Sequence, residues 1–235
     1  TLSAFLCTLS PAFAAPYYGT ALCAYPQYQC IKVGQGGSWE RLFPNPEQRD
    51  LVQRLNRSYN AILYGKEIVV PRNLDNITLY DISPFPLRID DSEKQIIVDQ
   101  DKLAWAAYNG GQLIKWGPIA SGRDKCPDSA NACKTLTGIF RFFSKENQNC
   151  RSDVYPIGKG GAHMPWCMYF HKGFALHGSE DMPGYRASHG CVRIFIQDAK
   201  WLNEEFVEVS TEKNNQMGTK ITVRPVNTPT SENAS

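Results

Sequence analysis

The pattern of hydrophobic and polar residues changes at Lys94, and from there on it is typical of short β-strands. Apolar and β-branched residues dominate 95–98, 103–108 and 112–120, which predicts three strands. The Asn109-Gly110-Gly111 run between the second and third of them is a strong hairpin signal, because glycine readily adopts the positive φ of tight hairpin turns. Further strands are predicted at 138–143, 173–176 and 221–226.

Helical periodicity is weak in the same region. A single helix is predicted at residues 197–207, where Trp201, Leu202 and Phe206 would form the buried side. We therefore expect a mainly β fold with short helices. The polar residues 227–235 are expected to form a flexible tail.

Residues 30–73 have a different pattern, which predicts a small α+β module. Asn45 is a good helix N-cap residue and Pro46 suits the first helical position. Apolar residues then recur at helical spacing, at Leu51, Val52 and Leu55. The module ends with a β-rich run that Pro71 terminates.

The first charged residue of the chain is Lys32. Residues 2–15 are mainly apolar and end in Ala12-Phe13-Ala14, a small-x-small cleavage pattern. Residues 1–15 are therefore predicted to be the remnant of a secretory signal peptide, the alternative being a buried N-terminal segment. The stretches 16–29 and 74–93 are rich in turn-forming residues and are expected to be linkers, the first of them an extended arm.

Composition narrows the choice of partners. The chain is 42% hydrophobic and carries a net charge of +2, with no dense cluster of Lys and Arg. Nucleic-acid binding is therefore not expected. No apolar run reaches the roughly 18 residues needed to span a bilayer, so no transmembrane segment is predicted.

The cysteines favour an oxidising compartment. Removing Cys7 with the signal peptide leaves seven, and such a compartment would pair six of them and leave one free. Several pairings are compatible with the sequence, and our prediction is the local one. It joins Cys23 to Cys30, Cys126 to Cys133 and Cys150 to Cys167.

The strongest chemical signal is Ser188-His189-Gly190-Cys191-Val192-Arg193, with His177-Gly178-Ser179 upstream. A thiol becomes a strong nucleophile when a base takes its proton, and a neutral imidazole is the usual base. Gly190 lets the backbone approach a substrate closely, and N–H groups near Cys191 are suited to hold an oxyanion. These residues predict thiol acyl transfer, with Cys191 as the cysteine that stays unpaired.

Residues 94–226 resemble the L,D-transpeptidase catalytic domain of the YkuD type. Five matching segments occur in the family's order: Thr135-Leu136-Thr137-Gly138-Ile139-Phe140, Met164-Pro165-Trp166, Phe174-Ala175-Leu176-His177-Gly178-Ser179, Gly184-Tyr185-Arg186-Ala187-Ser188-His189-Gly190-Cys191-Val192-Arg193 and Asp198-Ala199-Lys200-Trp201-Leu202. Leu136 replaces the usual proline, and the His177–Cys191 interval is slightly short. The resemblance implies a β-sandwich or barrel-like fold. Residues 30–73 resemble a LysM peptidoglycan-binding module, a plain α+β cap being the alternative.

The resemblance also implies residue roles. Cys191 is the expected nucleophile and His177 the base, with the second ring nitrogen of His177 held by the carbonyl of Gly178. The N–H groups of Gly190 and Cys191 are the candidate oxyanion donors. Ser188 is expected to bond His189, which would orient the loop or touch substrate. Arg193, Tyr169 and Arg186 are the candidate substrate-binding residues, Arg193 for a carboxylate.

Structural roles compete with some of these assignments. A buried inert thiol is the alternative for Cys191, and an ordinary ion pair is the alternative for Arg193. His163, Cys167 and His171 have the spacing of zinc ligands on a helix, but the flanking Pro165 and alternating aromatic residues favour a loop followed by a strand. No metal and no cofactor are expected.

The implied function is an exported enzyme of the bacterial periplasm or cell envelope. It would take the acyl group of a peptidoglycan stem tetrapeptide and pass it to another stem peptide or to a lysine of a wall-anchored protein. Water as acceptor would make it an L,D-carboxypeptidase. A papain-like amidase is disfavoured because His177 precedes Cys191, and a catalytically silent peptidoglycan-binding protein is disfavoured by the intact pair.

Overall fold

A computed structural model describes residues 18–126, 133–152 and 162–227. The predicted signal peptide 1–15 and most of the predicted tail lie outside the described residues. None of the helices within this part of the chain is long and apolar enough to cross a membrane.

The first structural unit is a two-stranded antiparallel sheet with two helices between its strands. It consists of β1 (Tyr28–Lys32), α1 (Trp39–Leu42), α2 (Pro46–Leu55) and β2 (Glu67–Pro71). The N-cap of α2 is the predicted one, because the side chain of Asn45 accepts hydrogen bonds from the N–H groups of Glu47 and Gln48 at 2.9 and 3.2 Å. Local capping thus fixes where this helix begins.

The segment before β1 has more structure than the expected extended arm. Tyr18–Ala24 forms a 3-10 helix, and Cys23 is bonded to Cys30 of β1. A Cβ on Gly19 would lie 2.5 Å from the side chain of Val69, so the helix packs tightly on β2. The disulfide and this close packing supply the order that the uncharged, proline-containing sequence did not suggest.

Nine strands form the main sheet, in the order β6-β11-β3-β4-β5-β10-β9-β8-β7. Their bounds are β3 (Gln95–Asp99), β4 (Ala104–Asn109), β5 (Gln112–Ala120), β6 (Gly138–Arg141), β7 (Ser144–Lys145), β8 (Met168–His171), β9 (Phe174–Gly178), β10 (Val192–Ile194) and β11 (Lys220–Arg224). The predicted hairpin joins β4 to β5, with Gly110 and Gly111 both at positive φ. β7 and β10 were not predicted, because two or three residues are too few to show a period.

The sheet curls into a half-barrel around one hydrophobic core. β6 and β8 approach each other across the curl, where the rings of Phe140 and Phe170 lie 5.5 Å apart. Trp105, Ile119 and Leu176 are fully buried on this inner face. The prediction of a mainly β, barrel-like fold with few short helices is therefore confirmed.

The outer face of β3, β4 and β5 packs against the N-terminal part of the chain. Leu55 and Val69 from the first unit share one cluster with Ala104, Ala106 and Trp116 of the main sheet. Residues 74–93, predicted to be a linker, contribute the buried Ile82 and Phe85 to the same cluster. Their apolar side chains are shielded by the sheet, which the proline-rich and aspartate-rich sequence did not reveal.

The C-terminal helix begins close to the predicted position. α3 (Ile196–Trp201) continues into a π-helical turn over Leu202–Phe206, where the N–H of Val207 reaches the carbonyl of Leu202 at 2.7 Å. Leu202 and Phe206 are buried as expected, and Trp201 packs at the edge of the inner core. The helix therefore covers one end of the half-barrel.

An ion cluster joins α2 to α3, and we call it the buried junction. The guanidinium of Arg54 bonds both carboxylate oxygens of Asp198, at 2.7 and 2.9 Å. Lys115 reaches the same carboxylate at 3.0 Å, and Asp50 holds Arg54 Nε at 2.6 Å. The cluster fixes the first structural unit against the main sheet.

Candidate active site

The candidate site lies on two adjacent parallel strands, β9 and β10. Their register places Val192 beside Leu176 and Arg193 beside His177. Val192 and Leu176 point into the inner core, and side chains alternate along a strand. His177 and Arg193 consequently share the opposite face of the sheet, and Cys191, directly before β10, packs against the cluster that contains Ala175 of β9.

His177 is buried, and its ring orientation is fixed. Nδ1 lies 2.8 Å from the carbonyl oxygen of Gly178, the contact that the sequence resemblance implied. Burial lowers the pKa of His177 to about 4; the Gly178 contact opposes this shift and the charge of Arg193 adds to it. The ring is therefore neutral at physiological pH, with Nδ1–H donating to Gly178 and Nε2 left as the basic nitrogen.

Gly178 is confined by its neighbours as well as by its carbonyl contact. Its N–H donates to the carbonyl of Pro165 at 2.8 Å. A Cβ at this position would lie 3.1 Å from Pro165 O and from Ile196 Cα. The segment around Pro165 and the start of α3 therefore hold the backbone beside His177 in place.

Cys191 is the free cysteine among the described residues, and it is half-buried. Its Sγ lies 3.6 Å from the carbonyl of Gly173. Burial raises the pKa of the thiol, while a backbone hydrogen bond from Ala175 and the charge of Arg193 act in the opposite direction. Cysteine and histidine are thus both neutral at rest, and no thiolate–imidazolium pair is preformed.

The loop before Cys191 is held by its own backbone and by a neighbouring segment. Ala187 and Ser188 both donate N–H bonds to the carbonyl of Ser121, at 2.9 and 3.0 Å. The Ser188 hydroxyl donates to the carbonyl of Cys191 and accepts the N–H of Gly190 at 3.1 Å. This tight loop needs glycine at position 190, where φ is +129°.

These contacts correct two expectations. Ser188 was expected to bond His189, but its hydroxyl bonds the loop backbone instead. The N–H of Gly190 was expected to face an oxyanion, but it is engaged by Ser188. Of the two candidate oxyanion donors, this leaves the N–H of Cys191. His189 is half-buried within the same loop.

Thr135 has a positioning contact that the sequence did not reveal. Its buried hydroxyl accepts the N–H of Gly122 and donates to the carbonyl of Gly190, both at 2.8 Å. A Cβ on Gly122 would lie 1.9 Å from the carbonyl of Cys133, so the segments are in direct contact. The T-x-T-G motif was the available signal, but spacing alone did not say what its first threonine touches.

The candidate substrate-binding arginines already have acidic partners. Arg193 Nη1 lies 2.6 Å from Asp181. Arg186 holds both carboxylate oxygens of Asp124, at 2.9 and 2.6 Å. Neither acid was singled out from the sequence. The ion-pair alternative for Arg193 is thus present in the structure, and a substrate carboxylate would have to compete with Asp181.

Residues 93–223 match the family model described as YkuD, L,D-transpeptidase catalytic domain. This chain belongs to that family. A solved L,D-transpeptidase from Xylanimonas cellulosilytica has a TM-score of 0.53 at 22% sequence identity, over 85% of this chain and 98% of that one. A second, from Stackebrandtia nassauensis, is 21% identical with a TM-score of 0.46, over 63% of each chain. A comparison with curated protein sequences finds no match.

A disulfide crosslinks the L,D-transpeptidase domain next to the candidate site. Cys150 and Cys167 are bonded, with their Cα atoms 6.1 Å apart, and they share a small apolar cluster with Tyr169 and Cys191. The hydroxyl of Tyr169 lies 3.7 Å from Cys150 Sγ. Tyr169, a candidate substrate-binding residue, therefore lies at the wall of the site.

The structure contains the other two disulfides that the sequence analysis expected, Cys23–Cys30 and Cys126–Cys133. The bonded state of Cys167 removes it as a zinc ligand, so the His163, Cys167 and His171 spacing does not describe a metal site. Glu146, Cys150 and Cys167 also lie close together, but both of these cysteines are bonded to each other. The sulfur atoms of Cys150 and Cys167 therefore form a crosslink and do not bind a metal.

Proposed function

We propose that this L,D-transpeptidase acts on peptidoglycan stem peptides through an acyl-enzyme on Cys191. The observation that carries the proposal is the geometry of β9 and β10, where Arg193 lies in register with His177 and Cys191 directly precedes β10. His177 is locked by Gly178 in the tautomer that leaves Nε2 basic. A nucleophile, an oriented base and a cation beside them are the parts that thiol acyl transfer requires.

The donor is a stem tetrapeptide ending in D-Ala. The sulfur of Cys191 attacks the carbonyl of the diamino acid before D-Ala, while the thiol proton passes to His177 Nε2. The C–S bond forms, the oxyanion accepts the N–H of Cys191, and the C–N bond then breaks. His177 returns the proton to the departing D-Ala amine, which leaves a thioester on Cys191.

The charge state of the pair fits this sequence of steps. Burial keeps both the thiol of Cys191 and the ring of His177 neutral at rest. Proton transfer would therefore accompany attack on the bound donor instead of preceding it. The free enzyme then carries a thiol of low reactivity, and substrate binding starts the reaction.

An amine resolves the thioester in the second half of the reaction. It attacks the carbonyl, gives its proton to His177, and forms an amide as the C–S bond breaks and the thiol regains a proton. The diamino acid of a second stem would give a crosslink, and a lysine would attach a protein to the wall. Water would make the enzyme an L,D-carboxypeptidase.

The surrounding residues have proposed roles in binding. Arg193 would take a donor carboxylate by exchanging it for Asp181, since a guanidinium pairs with either. Tyr169 and Arg186 would line the donor groove. Residues 30–73 would bind the glycan as a LysM-like module; the β1-α1-α2-β2 order with antiparallel strands supports this assignment.

Export to the periplasm or cell envelope belongs to the same proposal. The three disulfides support an oxidising compartment, because such bonds rarely persist in the cytosol. The predicted signal peptide supports the same location.

The decisive experiment incubates the purified chain with a disaccharide-tetrapeptide and follows intact protein mass and muropeptide products. We expect an acyl adduct on Cys191 and released D-Ala, and no adduct on Cys191→Ala. A carbapenem should acylate the same residue, as the family resemblance implies. An adduct that persists in Cys191→Ala would overturn the assignment. The product identifies the acceptor. A crosslinked dimer indicates a second stem peptide, an amide with an added lysine peptide indicates a protein lysine, and a tripeptide indicates water.

A further inference from the structure

The loop that follows His177 and Gly178 is held by the N-terminal unit. Besides a bridge between Ser58 and Pro183 and the packing of Tyr59 near Met182, three side-chain hydrogen bonds hold it. The hydroxyl of Tyr59 donates to the carbonyl of Ser179. The side chain of Asn60 donates to Asp181 Oδ1 at 2.9 Å and accepts the N–H of Met182 at 2.7 Å. Both functional groups of one amide therefore hold the loop.

Asp181 is shared between Asn60 and the candidate site. Its Oδ1 accepts from Asn60, and its Oδ2 pairs with Arg193 Nη1 at 2.6 Å. Arg193 lies in register with His177 on the neighbouring strand. A continuous path of hydrogen bonds thus runs from the N-terminal unit to the cation beside the catalytic pair. We call Asn60, Asp181 and Arg193 the loop junction.

Asn60 can fix Asp181 because it is itself fixed. Trp39 donates its indole N–H to the Asn60 carbonyl at 2.8 Å, and the Asn60 N–H donates to Ser58 Oγ at 3.2 Å. Asp181 in contrast is 60% exposed, and an exposed ion pair holds its geometry weakly. The orientation of the Asp181 carboxylate toward Arg193 therefore depends on its second hydrogen bond, the one from Asn60.

We propose that Asn60 is a positioning residue of the active site, acting through Asp181 on Arg193. If the proposed function holds, Asn60 also sets the affinity of the site for the carboxylate of the donor peptide. This part of the proposal rests on that function. An amide suits this position because it donates to a carboxylate and accepts an N–H at once. Aspartate at position 60 would keep the bond to Met182 but repel Asp181.

The first test is independent of catalysis. Phenylglyoxal labels accessible guanidinium groups, and peptide mass mapping reports the labelling of Arg193 alone. We expect Asn60→Ala and Asn60→Asp to label at Arg193 several-fold faster than the parent chain, because Asp181 releases it. Unchanged labelling of Arg193 in both variants would overturn the proposal even if no donor were ever turned over.

The second test uses donor peptides in the full chain. Asn60→Ala should lower KM for the tetrapeptide several-fold with kcat nearly unchanged, because Asp181 then competes less well with the donor carboxylate for Arg193. For the tetrapeptide C-terminal amide, which lacks the carboxylate, KM should be the same in both proteins. A KM change of equal size for both peptides would assign Asn60 a purely structural role, and a rise for the tetrapeptide would contradict the proposal.

Gln48→Ala is the matched control. Gln48 is another side-chain amide of the N-terminal unit that bonds an acid, Asp75 at 2.7 Å, but it lies outside the loop junction. Its variant should leave Arg193 labelling and both KM values unchanged. If Gln48→Ala changed Arg193 labelling and KM as much as Asn60→Ala, any loss of an amide in the N-terminal unit would have this effect. That result would contradict the proposal. Failure of the parent chain to acylate would instead refute the proposed function.

Discussion

Two arginine–aspartate pairs lie where the N-terminal unit meets the catalytic domain, and they differ in burial. In the buried junction the side chains of Arg54 and Asp198 are 3% and 0% exposed. In the loop junction Arg193 is 13% exposed and Asp181 is 60% exposed. Water screens the second pair and is excluded from the first. The same chemistry therefore fixes the fold in one place and leaves an adjustable contact beside the site in the other.

The buried junction is held together by mutual compensation. Burial by itself would lower the pKa of Arg54, but the charges and hydrogen bonds of Asp198 and Asp50 raise it above the usual range. Removing one partner would leave an uncompensated charge in a dry environment. The loop junction has no such requirement, because its carboxylate is largely hydrated.

The largest expected effect comes from breaking the buried junction. Asp198→Ala should lower the free energy of unfolding by about 3–5 kcal/mol, because Arg54 remains buried and loses its bidentate partner, with only the partly exposed Asp50 left. Urea denaturation at pH 7 measures the difference. Asp50→Ala is the control, since the Asp50 side chain is 32% exposed, and it should cost less than about 1 kcal/mol. Equal losses in the two variants would show that burial is not the distinction.

The next effect appears at low pH, beside the loop junction. The pKa of His177 is about 4 in the folded chain against an ordinary 6.5, because the ring is buried. Between these values the unfolded chain binds a proton that the folded chain does not, so stability falls as the pH drops through this window. His177→Gln should lack this component. Denaturation of both proteins at pH 7, 5.5 and 4.5 should show the parent chain losing stability relative to His177→Gln as the pH falls, and a constant difference would contradict the assignment.

A paired replacement sharpens the comparison at the buried junction. Arg54→Met combined with Asp198→Leu removes both charges, and apolar pairs often substitute for buried ion pairs with little loss. We expect a cost well below that of Asp198→Ala, within about 2 kcal/mol by the same reasoning. Thermal denaturation of the two variants side by side measures it. A double variant as unstable as the single one would indicate that the ion cluster itself is required for folding.

The smallest effect on stability is expected at the loop junction. Asp181→Asn should change the free energy of unfolding by less than about 1 kcal/mol, because the carboxylate is mostly hydrated. Its effect should appear in donor binding instead, since Arg193 loses its charged partner. Urea denaturation and donor KM, measured on the same preparation, separate the two. A loss comparable to that of Asp198→Ala would erase the contrast between the junctions.

Local signals in the sequence predicted local structure well. The Asn45 cap, the glycine turn between β4 and β5 and the apolar face of α3 each depend on neighbours in the chain. Predictions failed where a distant segment decided the outcome. Residues 74–93 looked like a linker, but Ile82 and Phe85 are buried against the main sheet. The short strand β10 is stabilised by its partners on both sides, which no period within three residues can indicate.

The site shows the same division. Cys191 and His177 were identified by motif, and the Gly178 contact followed from the resemblance, because it joins adjacent residues. The role of Gly190 was mistaken, since the direction of its N–H depends on the loop conformation and on Ser188. Asn60, Thr135 and Asp181 were missed as partners because each meets residues far away in sequence or on another element.

The sequence by itself determined the family, the pair of residues suited to thiol chemistry and the mainly β fold. These depend on residue identity and on short-range spacing. The tertiary structure alone decided that Cys191 and His177 are neutral at rest and that the Gly190 N–H is bonded to Ser188. It also decided the acidic partners of Arg54 and Arg193. Burial, backbone direction and contacts between distant segments set these properties, and they exist only after the chain has folded.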